Sequence, residues 1–251
     1  MNTHQNKVAV VTGGTSGIGF ETALELARGG ARVFITGRDA ERGDSAVAKA
    51  AESNVELTFV QHDAADEAQT QALFETVRQT TGRLDALIVN HGTLGNPAPV
   101  ADQPASDFSS VLAVNTTGAF LAAKYALGLM GKGGSIVFVS STVGQRVHFP
   151  GMSAYAASKA ALVALSSALA LEVAPLGIRS NVLTPGGVDT PMFRSTMGAT
   201  PESASHVASL HALGRVADPS EIARAASFLA SDDSSFVTGS VLTADGGMSI
   251  S

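Results

Sequence analysis

Tyr155 is one of only two tyrosines in the 251-residue sequence, and Lys159 follows it four positions later. On a helix such a pair shares one face. A phenol titrates near pH 10 and is a poor base at neutral pH, but a neighbouring ammonium favours the phenolate and brings it toward the working range. The pair could therefore trade a proton with a ketone or alcohol oxygen. The plainer alternative is an interface tyrosine and a surface lysine on an Ala-rich helix. A second run with chemical content is Thr12-Gly13-Gly14-Thr15-Ser16-Gly17-Ile18-Gly19, set between a strand-like and a helical segment. There Gly13 permits a tight turn, Gly17 lets backbone approach a pyrophosphate, and Gly19 lets the helix pack closely on the strand. The helix N-terminus would offer free N–H groups and a positive dipole end to phosphates. No Gly-Lys-Ser/Thr follows, so a Walker loop is excluded.

Composition removes other chemistries. The chain has no cysteine, which excludes a thiol nucleophile, a disulfide scaffold and a Cys-ligated metal or cluster. No metal site is expected: His206 and His211 lie five residues apart with no matching third ligand. A net charge of −6 provides no basic stripe for a nucleic-acid partner. With 45% hydrophobic and 15% charged residues, the chain should bury an ordered core. Residues 1–6 are polar and lack the apolar stretch of a signal peptide. The longest apolar stretch, 160–174, is interrupted by Ser166, Ser167 and Glu172 and reads as too short for a bilayer. These features predict a cytoplasmic protein with no membrane partner.

The elements that must position these residues alternate. Near-continuous apolar runs at 7–12, 31–36, 57–61, 84–90, 135–140 and 178–183 predict strands buried on both faces. Helical spacing occupies 18–28, 40–51, 67–80, 105–129 and 153–173, and 219–230 follows with Asp218 as cap and Pro219 at its first position. Parallel neighbours need crossover helices, so the pattern predicts an α/β fold, a doubly wound parallel sheet with helices on both faces. Residues 1–251 read as a single domain. Residues 186–213 lack a clear pattern and read as a substrate lid.

The spacing Thr-Gly-x-x-x-Gly-x-Gly, with Tyr-x-x-x-Lys after the fifth strand, resembles the short-chain dehydrogenase/reductase family over residues 7–247. The resemblance implies a Rossmann-like sheet of about seven strands, the last from residues 236–247, and an NAD(P)-dependent oxidoreductase. It places Thr15, Ser16 and Ile18 with Gly13, Gly17 and Gly19 at the cofactor phosphates. Family members that prefer NAD carry an acid where this chain has Gly37; Arg38 follows it and points to NADP(H), pairing with the 2′-phosphate. Asp39 is the competing signal for NAD(H), or else a helix-start residue. Asp63 is either an adenine contact or an N-cap for the helix beginning near Asp66. Where the family has Asn-Asn-Ala-Gly, this chain has Val89-Asn90-His91-Gly92; Asn90 and Gly92 match and belong at the cofactor ribose. His91 departs from the pattern and reads equally as a structural histidine or a cofactor contact. Pro185, Gly186, Val188 and Thr190 match a Pro-Gly-x-x-x-Thr segment, with Val188 backbone at the nicotinamide carboxamide and Thr190 at the carboxamide or pyrophosphate.

The same resemblance assigns a catalytic set of Asn115, Ser141, Tyr155 and Lys159. Ser141 is favoured over Ser140 by matching Ser141-Thr142-Val143-Gly144 to Ser-x-x-Gly. Tyr155 would transfer the proton, Ser141 would orient the oxygen, Lys159 would lower the phenol's pKa and hold the nicotinamide ribose, and Asn115 would hold a relay water. Apolar loop residues, among them Phe149, Met152, Met192, Phe193 and Met197, predict a hydrophobic or weakly polar ketone or alcohol as the small-molecule substrate. The alternative is a 3-oxoacyl-thioester reductase, for which Arg146 and Arg194 would serve the carrier; a noncatalytic dinucleotide-binding regulator is less consistent with the retained set. Relatives form tetramers, and the Ala-rich faces of 156–174 fit a homotetramer.

Overall fold

The computed structural model describes residues 3–251. Short runs rich in Val, Ile and Leu form strands because both of their faces meet helices. All five residues of β1 (Val8–Thr12) are buried, as are all seven of β6 (Arg179–Pro185). Between them the chain runs through α1 (Gly17–Arg28), β2 (Arg32–Gly37), α2 (Ala40–Glu52), β3 (Leu57–Gln61), α3 (Glu67–Thr81) and β4 (Leu84–Val89). Then come α4 (Ala105–Leu112), a π-turn (Ala113–Thr117), α5 (Gly118–Ala126), β5 (Met130–Val139) and α6 (Ser153–Val173). After β6 follow α7 (Pro191–Arg194), α8 (Pro201–Ser209), α9 (Pro219–Ala230) and β7 (Val241–Ala244).

The seven strands form one parallel sheet in the order β3-β2-β1-β4-β5-β6-β7. The direction of winding reverses between β1 and β4, which opens a crevice at their carboxyl ends. Two cores lie on opposite faces. Phe20, Leu24 and Leu26 of α1 pack with Ile222 and Leu229 of α9 over one face. Leu73 and Phe74 of α3, Ala119 and Ala122 of α5, and Leu162 and Leu169 of α6 cover the other.

Local signals set several boundaries. Asp218 begins α9 with a capping box, Pro219 occupies its first position, and Glu221 returns to the Asp218 N–H. Asp39 caps α2 by accepting from Arg42 N–H at 3.1 Å, so the helix-start reading of that residue holds.

Four expectations are corrected. The single helix over 105–129 is two helices joined by the π-turn. Asp66, not Asp63, caps α3 by accepting from Gln69 N–H. The stretch judged too short for a bilayer lies within Ser153–Leu176, which is long and apolar enough to cross a membrane by length and composition. Here it packs on β6 and α4. The fifth strand also begins earlier than its apolar run, at Met130, because a register shift against β4 takes up the glycine-rich segment before Ser135.

Candidate active site

The glycine turn after β1 leads directly into α1. Ser16 at the N-cap makes no side-chain capping bond, which leaves the first-turn N–H groups without that partner. Gly17 has φ of +54°, a left-handed conformation that glycine adopts at little cost. At Gly19 a β-carbon would lie 2.2 Å from the Gly13 carbonyl oxygen and 2.4 Å from Asn90 Nδ2. That contact is tight because Asn90 Nδ2 donates to the same Gly13 carbonyl at 3.0 Å, pinning the end of β4 to the turn. This cradle of backbone with free helix-end donors fits a dinucleotide pyrophosphate.

At the tip of β2, a β-carbon on Gly37 would lie 2.8 Å from Thr15 Cγ2. Thr15 therefore occupies the space that a longer side chain at position 37 would need. The Arg38 side chain is exposed and joins no ion pair among the described residues, whereas Asp39 is engaged by Arg42. Asp63, at the end of β3, accepts from Ala65 N–H, and its own N–H bonds Gln69.

Across the crevice, β5 and α6 bring the predicted set together. Ser140 and Ser141 point to different partners, as alternation requires. Ser140 Oγ donates to the Lys159 carbonyl at 2.7 Å, while Ser141 hydrogen-bonds the Tyr155 phenol and accepts from Val143 N–H at 3.1 Å. Lys159 is buried, donates from Nζ to the Val139 carbonyl at 2.9 Å, and lies 5.8 Å from the centre of the Tyr155 ring. Burial holds the ammonium down to about 8. Burial also raises the Tyr155 phenol above its ordinary value, and the Ser141 bond works against that rise. The net lowering of the phenol expected from the Tyr-Lys spacing is therefore not present in the protein alone.

Asn115 is buried inside the π-turn. Its Oδ1 accepts from Thr93 N–H at 2.8 Å, and its Nδ2 donates to the Thr93 carbonyl and Ser158 Oγ, each at 2.9 Å. Both amide hydrogens are committed, so only Oδ1 of that side chain has capacity left for a further partner. The other tyrosine, Tyr125, donates to Glu67 at an exposed position away from this set.

The loop after β6 closes the site. Thr190 caps α7 by accepting from Phe193 N–H, with its methyl against Gly17. Gly187 N–H donates to His211 Nε2 at 2.9 Å, and His211 Nδ1 donates to the Val207 carbonyl at 2.8 Å, so that histidine ties the loop to α8. Arg194 forms a two-bond pair with Asp189 at 2.6 and 2.8 Å.

A cavity of about 140 Å³ lies between these parts. Ser141 and Tyr155 face it with Pro185, Gly186 and Val188, and the predicted apolar residues Phe149, Met152, Met192, Phe193 and Met197 line it. Leu94 and Val207 also line it. Met248 was not expected there. Asp245 accepts from Gly247 and Ser249 N–H groups and folds the C-terminal turn so that Met248 meets Thr142 in the pocket. Only its late position and apolar character hint at this in the sequence.

Comparison with known proteins gives the family. Residues 13–249 match a family model described as Enoyl-(Acyl carrier protein) reductase. The chain is 37% identical over 244 residues to a cyclopentanol dehydrogenase of Comamonas testosteroni, covering 96% of each. It is 36% identical to an NADP-dependent (R)-specific alcohol dehydrogenase of Lentilactobacillus kefiri, covering 97% of this chain and 96% of that one. The crystal structure of levodione reductase superposes with a TM-score of 0.93 at 32% identity over 98% of both chains. With its seven-stranded parallel sheet, glycine turn and Tyr-x-x-x-Lys helix, the chain belongs to the short-chain dehydrogenase/reductase family of oxidoreductases.

Proposed function

We propose that this protein interconverts a ketone and a secondary alcohol with NADP(H), using Tyr155 as the acid and base. The observation that carries the reading is that Tyr155 and Ser141, with buried Lys159 beside the Tyr155 ring, share an apolar cavity with Pro185, Gly186, Val188 and Thr190.

The cofactor, when bound, supplies or accepts the hydride. Gly13, Thr15, Ser16, Gly17, Ile18 and Gly19 would hold its pyrophosphate, Asn90, Gly92 and Lys159 its ribose, and Val188 and Thr190 its carboxamide end, with Asp63 near the adenine. Arg38 would pair with a 2′-phosphate. The unpaired guanidinium, the occupied Asp39 and the Thr15 methyl packed over Gly37 together favour NADP(H) over NAD(H). In reduction, Ser141 orients the carbonyl oxygen and Tyr155 donates its proton to the developing alkoxide. In oxidation, the phenolate takes the hydroxyl proton. Lys159 would place a positive charge 5.8 Å from the ring centre, where it favours the phenolate, while the Ser141 bond works against the rise that burial imposes. Asn115 would orient a relay water through Oδ1.

The cavity is comparable to the roughly 150 Å³ that holds a benzene-sized guest, and its lining is mostly apolar. These features support single-ring or short branched ketones. The relatives named for cyclopentanol and levodione point the same way. A 3-oxoacyl-thioester reductase is less favoured because Arg194 is already paired with Asp189, leaving Arg146 alone for a carrier. The same proposal includes a homotetramer, for which exposed Phe120, Leu171 and Phe236 supply apolar surface; a monomer by light scattering would contradict it. The substrate reading is tested by initial rates at 340 nm with cyclopentanone, a substituted cyclohexanedione and a 3-oxoacyl thioester. The expected order puts the ring ketones first, and a strong preference for the thioester would overturn it.

A further inference from the structure

His91 stands where the family pattern has Ala, and its imidazole joins three elements. Nδ1 lies 2.7 Å from Thr12 Oγ1 at the end of β1, and Nε2 lies 3.1 Å from the Val114 carbonyl in the π-turn. A carbonyl only accepts, so Nε2 carries the proton; in the neutral ring Nδ1 then accepts from the Thr12 hydroxyl, whose single hydrogen turns to Nδ1 at 2.7 Å rather than to the Ile88 carbonyl at 3.3 Å. The Val114 carbonyl is free for this bond because the π-turn diverts its helical partner: Gly118 N–H bonds Ala113 O, five residues back. Gly118 also makes room for the ring, since a β-carbon there would lie 3.0 Å from His91 Nε2.

The next residues continue the clamp. Thr93 exchanges two bonds with the Asn115 amide, so residues 91–93 hold the π-turn by three bonds. Between them, Gly92 passes so close that a β-carbon would lie 3.3 Å from both Asn115 Oδ1 and Lys159 Nζ. Any shift of the clamp therefore changes what surrounds the ammonium.

We propose that His91 is a positioning residue: its neutral imidazole locks the π-turn carrying Asn115 to the end of β1 and so sets the place of Lys159 beside Tyr155. It touches neither the reacting oxygen nor the cavity and acts through Asn115 and Lys159. The titratable groups that face it are Lys159 from α6 and His62 from the end of β3, both basic. Burial and these charges push the imidazole down to about 3, so it stays neutral throughout the working range.

This inference rests on the proposed roles of Tyr155 and Lys159, and the test separates the two. Ketone reduction with NADPH is measured for His91→Ala, His91→Leu and His91→Gln, with rates expressed per NADPH-binding site. Ala and Leu should lower kcat about tenfold, part of the roughly 100-fold that a 1 Å misplacement can cost. They should move the alkaline limb of the kcat profile and leave NADPH affinity and ketone KM within about twofold. Gln, whose amide can donate to Val114 O and accept from Thr12, should recover most of kcat and the original limb. If Ala or Leu does not bind NADPH, His91→Asn, which keeps only the Thr12 bond, must give the same split. Unchanged kcat and pH limb in these variants, even with a lower Tm, would overturn the proposal and leave His91 a stabilising residue only. Full turnover by Tyr155→Phe in the same assay would instead overturn the catalytic reading, and this inference with it.

Discussion

Tyr155 holds its proton more tightly than a free phenol, and Lys159 releases its own more readily than a free amine, both because they are buried. The resting site therefore presents an acid, which suits ketone reduction at neutral pH. In the proposed mechanism, reduction needs the phenol protonated and oxidation needs it ionised. Alcohol oxidation should accordingly rise with pH, by up to tenfold per unit below the phenol's pKa. Ketone reduction should stay level through neutrality and fall at alkaline pH as Lys159, near 8, and then Tyr155 lose their protons. Rate profiles in both directions check this, and an oxidation rate that falls from pH 6 to 9 would contradict it. At the other end of the cofactor site, Arg38→Gln removes a charge-assisted bond that is typically worth about 1.5–3 kcal/mol. kcat/KM with NADPH should drop about ten- to a hundredfold while that with NADH changes little. The proposed set Asn115, Ser141, Tyr155 and Lys159, with Arg38, could be picked out in the sequence because the resemblance rests on side-chain types at fixed spacing. His91 could not: its role depends on a carbonyl freed by a turn that no residue type announces.

At the scale of elements, the strands could be read because burial on both faces leaves near-continuous apolar runs, and α9 because Asp218, Pro219 and Glu221 spell out its start. The interruption between α4 and α5 could not, since Ala113–Thr117 continues the composition of its flanks and only the hydrogen-bond pattern changes. Met248 reaches the pocket across 106 positions from Thr142, a contact with no local signature. The contact between the glycine turn and α1 is the least forgiving of these arrangements. Gly19→Ala would press a methyl against the Gly13 carbonyl and the Asn90 amide, which hold each other in place. NADPH affinity should fall at least tenfold and stability by about 1–3 kcal/mol, the usual range for overpacking. Titration of NADPH fluorescence and urea unfolding measure the two effects; wild-type affinity would show that the turn can yield.

Among the described residues, burial lowers the pKa of three histidines. His4 bonds Ser227, His62 sits between Thr36 and Thr70, and His91 bridges Thr12 and Val114. All three have pKa values lowered from the ordinary 6.5. Below about pH 6.5 the unfolded chain takes up protons that the folded chain refuses, so stability falls with pH at up to about 1.4 kcal/mol per unit for each histidine. Urea unfolding at pH 7.5 and 5.5 should show a clear loss at the lower value; equal midpoints would contradict the neutral assignments. The architecture itself explains why specificity is local. One sheet supplies both the glycine turn and the proposed proton-transfer pair, and the pocket beside Tyr155 is lined by the loop after β6 and the C-terminal turn.

Proton transfer by Tyr155 in the proposed NADPH-dependent ketone reduction is checked by single-turnover oxidation of bound NADPH with cyclopentanone in the wild type and in Tyr155→Phe. The variant should bind NADPH within about twofold of the wild type and lose roughly 10²–10⁴-fold in the rate of NADPH oxidation, the range for a lost general acid. A variant that binds NADPH and oxidises it at the wild-type rate would contradict the account.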